Sequence, residues 1–226
     1  MCPATSSSLA WLIERLADAY GPAPEPFPTD PFELVLWENV AYLADDAKRR
    51  RAFDALRETV GTRPEQILSA SERQLLEVAR HGILADTFAS KLRAAAQVAL
   101  GDLGGDLQVV LRLPIPKAKR ALRKFPGIGE PGAEKILLYT RSQPFLALES
   151  NGLRVLVRYG ICQETGSYAA TYAAARAVAE RELPTDFDTL TAARHNLRRH
   201  GMEICRRSVP DCGVCVARER CAYALA

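Results

Sequence analysis

The chain has 226 residues, 48% apolar and 25% charged, and its 30 Lys and Arg against 27 Asp and Glu leave a net charge of +3. A chain of this length buries roughly 70% of its unfolded surface on folding, so its core needs no crosslinks, and the charge is too small to announce a polyanionic partner. The opening segment has no basic leader and carries Glu14, Arg15 and Asp18 within its apolar pattern, and no uncharged apolar run reaches about 18 residues. These features exclude a secretory signal and a membrane span, and the expected setting is the reducing cytoplasm.

Leu9, Leu12, Ile13 and Leu16 recur at helical spacing behind three serines and predict a first helix. The Pro-rich stretch 22–31 is expected to run extended as a connector. Residues 31–40, PFELVLWENV, read as an apolar helix bearing Glu38 beside Trp37 and Val40. Lys48, Arg49, Arg50 and Arg51 fit a solvated helix face. Ser71 and Gln74 make a capping box ahead of Leu75, Leu76 and Val78. Gly82, Gly160 and Gly201 are each expected to close a helix. LQVVL at 107–111 is strand-like but lacks a partner run, so the expected class is all-α, with about ten helices and no sheet.

Residues 111–124, LRLPIPKAKRALRK, hold Arg112, Lys117, Lys119, Arg120, Arg123 and Lys124 with no acid. They lead into Leu122, Phe125, Pro126, Gly127, Ile128 and Gly129, then Ala133, Ile136 and Leu137. This is the pattern of two helices joined by a tight G-x-G turn. Such a turn aims backbone N–H groups outward at a helix N-terminus and binds phosphate without reading a base, as a DNA clamp does. Lys124 and Arg123 flank it as candidate phosphate contacts. At the other end, four of the six cysteines, Cys205, Cys212, Cys215 and Cys221, follow a C-x6-C-x2-C-x5-C spacing. Four thiolates on a short loop fit tetrahedral zinc or an iron-sulfur cluster, and spacing alone does not choose between them. Cys2 and Cys162 lie outside this group, and His195 and His200 near it are redundant to its four thiolates.

Together the hairpin and the cysteine loop resemble the helix-hairpin-helix base-excision DNA glycosylases with an iron-sulfur loop, the superfamily of endonuclease III and the MutY adenine glycosylases. The resemblance runs from PFELVLWENV through FPGIGEPGAEKIL and LALESNGLRVLVR to the last cysteine. It implies a two-domain helical fold: 29–136 as a six-helix domain with the hairpin, and 1–28 with 137–226 as a second domain carrying a [4Fe-4S] loop. It tips the cofactor from zinc to that cluster. The implied partner is double-stranded DNA with a damaged or mispaired base, bound by a monomer in the cytoplasm at the nucleoid, with no membrane.

Against the family pattern, the lyase lysine is replaced by Pro131, and Lys135 lies one helical turn, about 5 Å, further on. The family aspartate is replaced by Glu149, followed by Asn151 as in MutY-type members, and Glu38 falls where those members protonate the departing base. The expected reaction is therefore monofunctional hydrolysis. Glu38, with a carboxyl pKa raised by burial, is the general acid, and Glu149 with Asn151 stabilises the sugar cation and admits water. A bifunctional glycosylase/lyase using a displaced lysine, and a non-catalytic binder of lesion DNA, are the alternatives. Tyr42 and Leu43 are candidates to fill the gap left by an extruded base, or else pack in the core.

Overall fold

The computed structural model describes residues 8–41 and 44–226. Among these, thirteen α-helices and one short 3-10 turn form, with no β-strand. In chain order they are α1 (Leu9–Tyr20), α2 (Pro31–Asn39), α3 (Asp46–Thr59), α4 (Pro64–Ser69), α5 (Glu72–Ala79), α6 (Ala85–Leu103) and α7 (Gln108–Leu111). The series continues with α8 (Ile115–Leu122), α9 (Glu130–Tyr139), α10 (Ser150–Tyr159), α11 (Tyr168–Glu182), α12 (Phe187–Glu203) and α13 (Ala222–Leu225). The strand-like LQVVL run folds as the single turn of α7. No helix among the described residues is long and apolar enough to cross a membrane.

The chain divides into two compact units, Pro26–Gln143 and, from the two ends of the sequence, Met1–Glu25 with Pro144–Ala226. The division expected after 136 falls inside α9, whose hydrogen-bonded turns stay in one unit. In the Pro26–Gln143 unit, α2, α4 and α5 pack on α6, whose Leu92, Ala95, Ala96 and Ala99 are buried. The run of alanines lets neighbouring backbones approach closely. Asp30 starts α2 by accepting the N–H groups of Phe32 and Glu33 at 2.9 and 3.0 Å, with Pro31 at the first helical position. The end of the Pro-rich connector docks through Phe27, which meets Trp37 and Phe53 edge-on and lies under the Arg50 guanidinium at 3.8 Å.

In the other unit, α12 packs on both α1 and α10 around Leu9, Leu12, Leu16, Leu156 and Leu197. Gly160, at φ 101°, closes α10 in the left-handed conformation. Gly201 does not close a helix: α12 runs on to Glu203. Back in the Pro26–Gln143 unit, Ser71 and Gln74 form the expected reciprocal capping box at the start of α5.

Candidate functional site

The hairpin is built between α8 and α9. Gly127 takes φ 74°, a conformation that favours glycine, and a Cβ there would stand 3.0 Å from Asn39 Oδ1. Asn39, at the end of α2 and fully buried, donates from Nδ2 to the Pro126 carbonyl at 2.8 Å and to the Val35 carbonyl at 3.0 Å. A side chain 87 residues away thus fixes the turn. Gly127 and Gly129 are exposed, while Ile128 is buried. The clamp therefore offers backbone at its glycines and uses its isoleucine as an internal anchor. Pro131 occupies the first turn of α9 and has no N–H to satisfy.

The basic run has no acid in sequence but meets three in space. Lys119, 9% exposed, donates to Glu130 Oε1 at 2.8 Å and pairs with Glu134, which is fully buried. Arg123 faces Glu130 at 3.5 Å and Lys124 faces Asp102 at 2.9 Å. The last two pairs are solvent-exposed on the basic side and worth about 0–1 kcal/mol. Lys119 is committed to the interior, whereas Arg112, Lys117 and Arg120 are exposed.

Glu38 is half-buried on α2, and Lys135 of α9, 7% exposed, forms an ion pair with it. α2 and α9 pack together and bring this ammonium against the acid that the sequence places on an apolar helix beside Trp37 and Val40. Tyr42 and Leu43 lie outside the described residues. Ile83 and Leu84, not anticipated from the sequence, are 53% and 58% exposed between α5 and α6, Leu84 with a left-handed φ of 57°. Gly82, expected to close a helix, does not: α5 ends at Ala79 with Arg80 as its C-cap, and the two apolar residues after Gly82 were the available signal. An exposed leucine in a strained backbone needs a reason beyond packing.

In the other unit, Glu149 is the N-cap of α10. Its Oε1 accepts the Gly152 N–H at 2.7 Å and its Oε2 accepts Asn151 Nδ2 at 2.8 Å. Both oxygens are thereby oriented at a helix N-terminus, where the dipole favours negative charge. Asn151 Oδ1 accepts from Arg154 at 2.9 Å, and the same guanidinium donates to the carbonyls of Gly201 at 2.7 Å and Cys205 at 3.0 Å. The candidate carboxylate is thus connected to the first cysteine of the loop. Upstream, Ala147 sits at φ 47°, its carbonyl accepting from Arg194 Nε at 3.0 Å.

Gly201 is where α12 crosses α10. A Cβ there would lie 2.6 Å from the Asn151 carbonyl oxygen and 2.8 Å from its carbon. Gly201→Ala is therefore expected to lower the urea unfolding free energy by about 2–3 kcal/mol through overpacking. Were the position an ordinary helix interior, alanine would instead stabilise by up to about 1 kcal/mol, so the sign of the shift decides.

The four clustered cysteines line one hollow, walled also by Leu12, Tyr159 and His200. Among the described residues no three Cys, His, Asp or Glu side chains close on a point as ligands of one ion do. Burial pushes the Cys215 and Cys221 thiols up. The buried His200 imidazole is pushed down to about 4 by desolvation; it shares a 2.8 Å hydrogen bond with Tyr20 and lies 3.5 Å from Cys215 Sγ. Arg158 donates toward Cys205 Sγ at 3.6 Å and to the Arg206 and Arg207 carbonyls at 2.7 and 3.0 Å. The hollow is thus apolar, supplied with four sulfurs and flanked by a guanidinium.

No family model matches the chain. It is 27% identical to an endonuclease III of Rickettsia conorii over 194 residues, 85% of this chain and 84% of that one. It shares its fold with the endonuclease III of a trapped covalent DNA intermediate, at TM-score 0.78 and 18% identity, covering 96% of this chain and 95% of that one. It also shares it with a thermostable thymine-DNA glycosylase, at TM-score 0.78 and 17% identity, covering 98% and 99%.

Proposed function

We propose that this chain, which belongs to the helix-hairpin-helix DNA glycosylase superfamily, is a monofunctional base-excision glycosylase. It extrudes a damaged or mispaired base from double-stranded DNA and hydrolyses its N-glycosidic bond. The observation that carries the monofunctional reading is Pro131 in the first turn of α9, with the nearby amine of Lys135 engaged by Glu38. A lyase needs an amine free to attack C1′.

Breaking the glycosidic bond leaves positive charge on the sugar and negative charge on the base. Glu149, held by Gly152 and Asn151, supplies the fixed anion for the sugar, and Glu38 delivers the proton to the base. Water then adds to C1′ on the face left open, oriented by Glu149 and Asn151. The hairpin glycines hold a phosphate through backbone N–H groups, with Arg123 and Lys124 turning from their acids to the strand. Ile83 and Leu84 fit the apolar wedge that occupies a vacated stack, a role for which Tyr42 and Leu43 are also candidates. A panel of duplexes, each with one modified or mispaired base, tests the reading. The expected product is an alkali-sensitive site with no covalent adduct on borohydride treatment; efficient trapping would overturn it in favour of a lyase.

Cys205, Cys212, Cys215 and Cys221 would hold a [4Fe-4S] cluster. A donor set of four sulfurs around one shared hollow suits such a cluster, and the Arg158 donor suits sulfurs that carry charge. Such a cluster, when bound, would crosslink the loop through the four cysteine sulfurs. Elemental analysis of anaerobically purified protein is expected to find iron and not zinc. Cys212→Ser should lose the visible absorbance and loosen residues 205–221 to proteolysis, while a colourless zinc protein would reverse the assignment.

A further inference from the structure

The pairing of Lys135 with Glu38 changes what Glu38 alone is able to do. A carboxylate facing an ammonium holds no proton of its own, so the pair carries its transferable proton on Nζ. Lys135 is 7% exposed and the Glu38 side chain 26% exposed, so the ammonium is the proton donor already in contact with the carboxylate. Several charged groups on the elements packed against α2 and α9 have partners of their own. Glu33 pairs with Arg57 and Thr62, Glu130 and Glu134 with Lys119, Asp102 with Lys124, and Arg93 donates to the Leu68 and Ala70 carbonyls.

We infer that Lys135 is the proton reservoir of the reaction: its ammonium recharges Glu38, which passes the proton to the departing base. This rests on the glycosylase reading above. The Nζ–H proton moves to Glu38 Oε1, and the Glu38 carboxyl proton moves to a base nitrogen as the C1′–N electron pair leaves with the base. Water then forms the C1′–O bond, and the proton it releases restores the ammonium. Lysine one turn beyond Pro131 is thus no displaced nucleophile. It acts through Glu38, and any substitution that holds the carboxylate without yielding a proton should fail.

Three variants compared with the parent protein in single-turnover base release test the inference. The parent is expected to keep a flat rate from about pH 6 to about pH 9, because the proton is carried within the pair rather than taken from solution. Lys135→Met leaves Glu38 to find its own proton, so its rate should fall about tenfold per pH unit over that range. Lys135→Arg keeps the positive charge but yields no proton, and it should be no faster than Lys135→Met at pH 8. A Lys135→Arg protein with the parent's rate and profile would reduce Lys135 to a positioning residue and overturn the proposal, as would an unaltered profile in Lys135→Met. Borohydride trapping that vanishes in Lys135→Met would make the amine a nucleophile and overturn it too. The double variant Glu38→Gln with Lys135→Met removes both charges together; circular dichroism on it and on the single variants separates misfolding from lost proton supply. A parent protein that releases no base from any duplex overturns the glycosylase reading itself, and that result is visible before any variant is made.

Discussion

Replacing Glu149 by Gln is expected to slow base release about a thousandfold while leaving the fold and lesion binding in place. Glutamine retains an oxygen that accepts the Gly152 N–H, now bonded at 2.7 Å, so α10 keeps its cap. What is lost is the negative charge proposed to face the sugar cation, together with one acceptor for Asn151 Nδ2. A thousandfold loss corresponds to about 4 kcal/mol of transition-state stabilisation, the scale of one oriented electrostatic group. Single-turnover release measures the rate, and affinity for a duplex carrying an uncleavable analogue measures binding. Glu149→Asp restores the carboxylate of the family pattern and should retain most of the rate, since aspartate caps helices well. Equal rates for Glu149→Gln and the parent would leave Glu149 as a cap alone.

The local features were legible in the sequence because each is a rule about neighbours. The Ser71–Gln74 box, the left-handed Gly160 and the hairpin glycines follow from spacing over three to six residues. The misread or unseen features depend on partners far along the chain. Gly201 has the sequence context of a helix stop, but its reason is the Asn151 backbone fifty residues earlier, at a crossing that no one-dimensional pattern encodes. Glu38 looked like a lone acid on an apolar helix because its cation is 97 residues away. Lys119 looked like one more basic residue in a DNA-facing run, since periodicity does not say which member of a charged stretch points inward.

That last distinction carries the largest expected change in stability. Lys119→Met should destabilise the protein by about 3–5 kcal/mol, because it strips the ammonium from a carboxylate with no exposed surface. Urea titration followed by helical signal measures the loss. Combining Lys119→Met with Glu134→Gln should recover most of it, since replacing both members of a buried pair by neutral groups is often close to neutral. The same double variant tests the clamp. If Lys119 is internal, the salt dependence of DNA binding keeps the parent's slope in the double variant. Arg120→Ala and Arg123→Ala should instead each lower that slope by about one. A double variant that lost a unit of slope would return Lys119 to the phosphate-binding face. An unchanged slope with restored stability fixes its task as holding α8 against α9, so that the two exposed glycines between them meet the strand in one conformation.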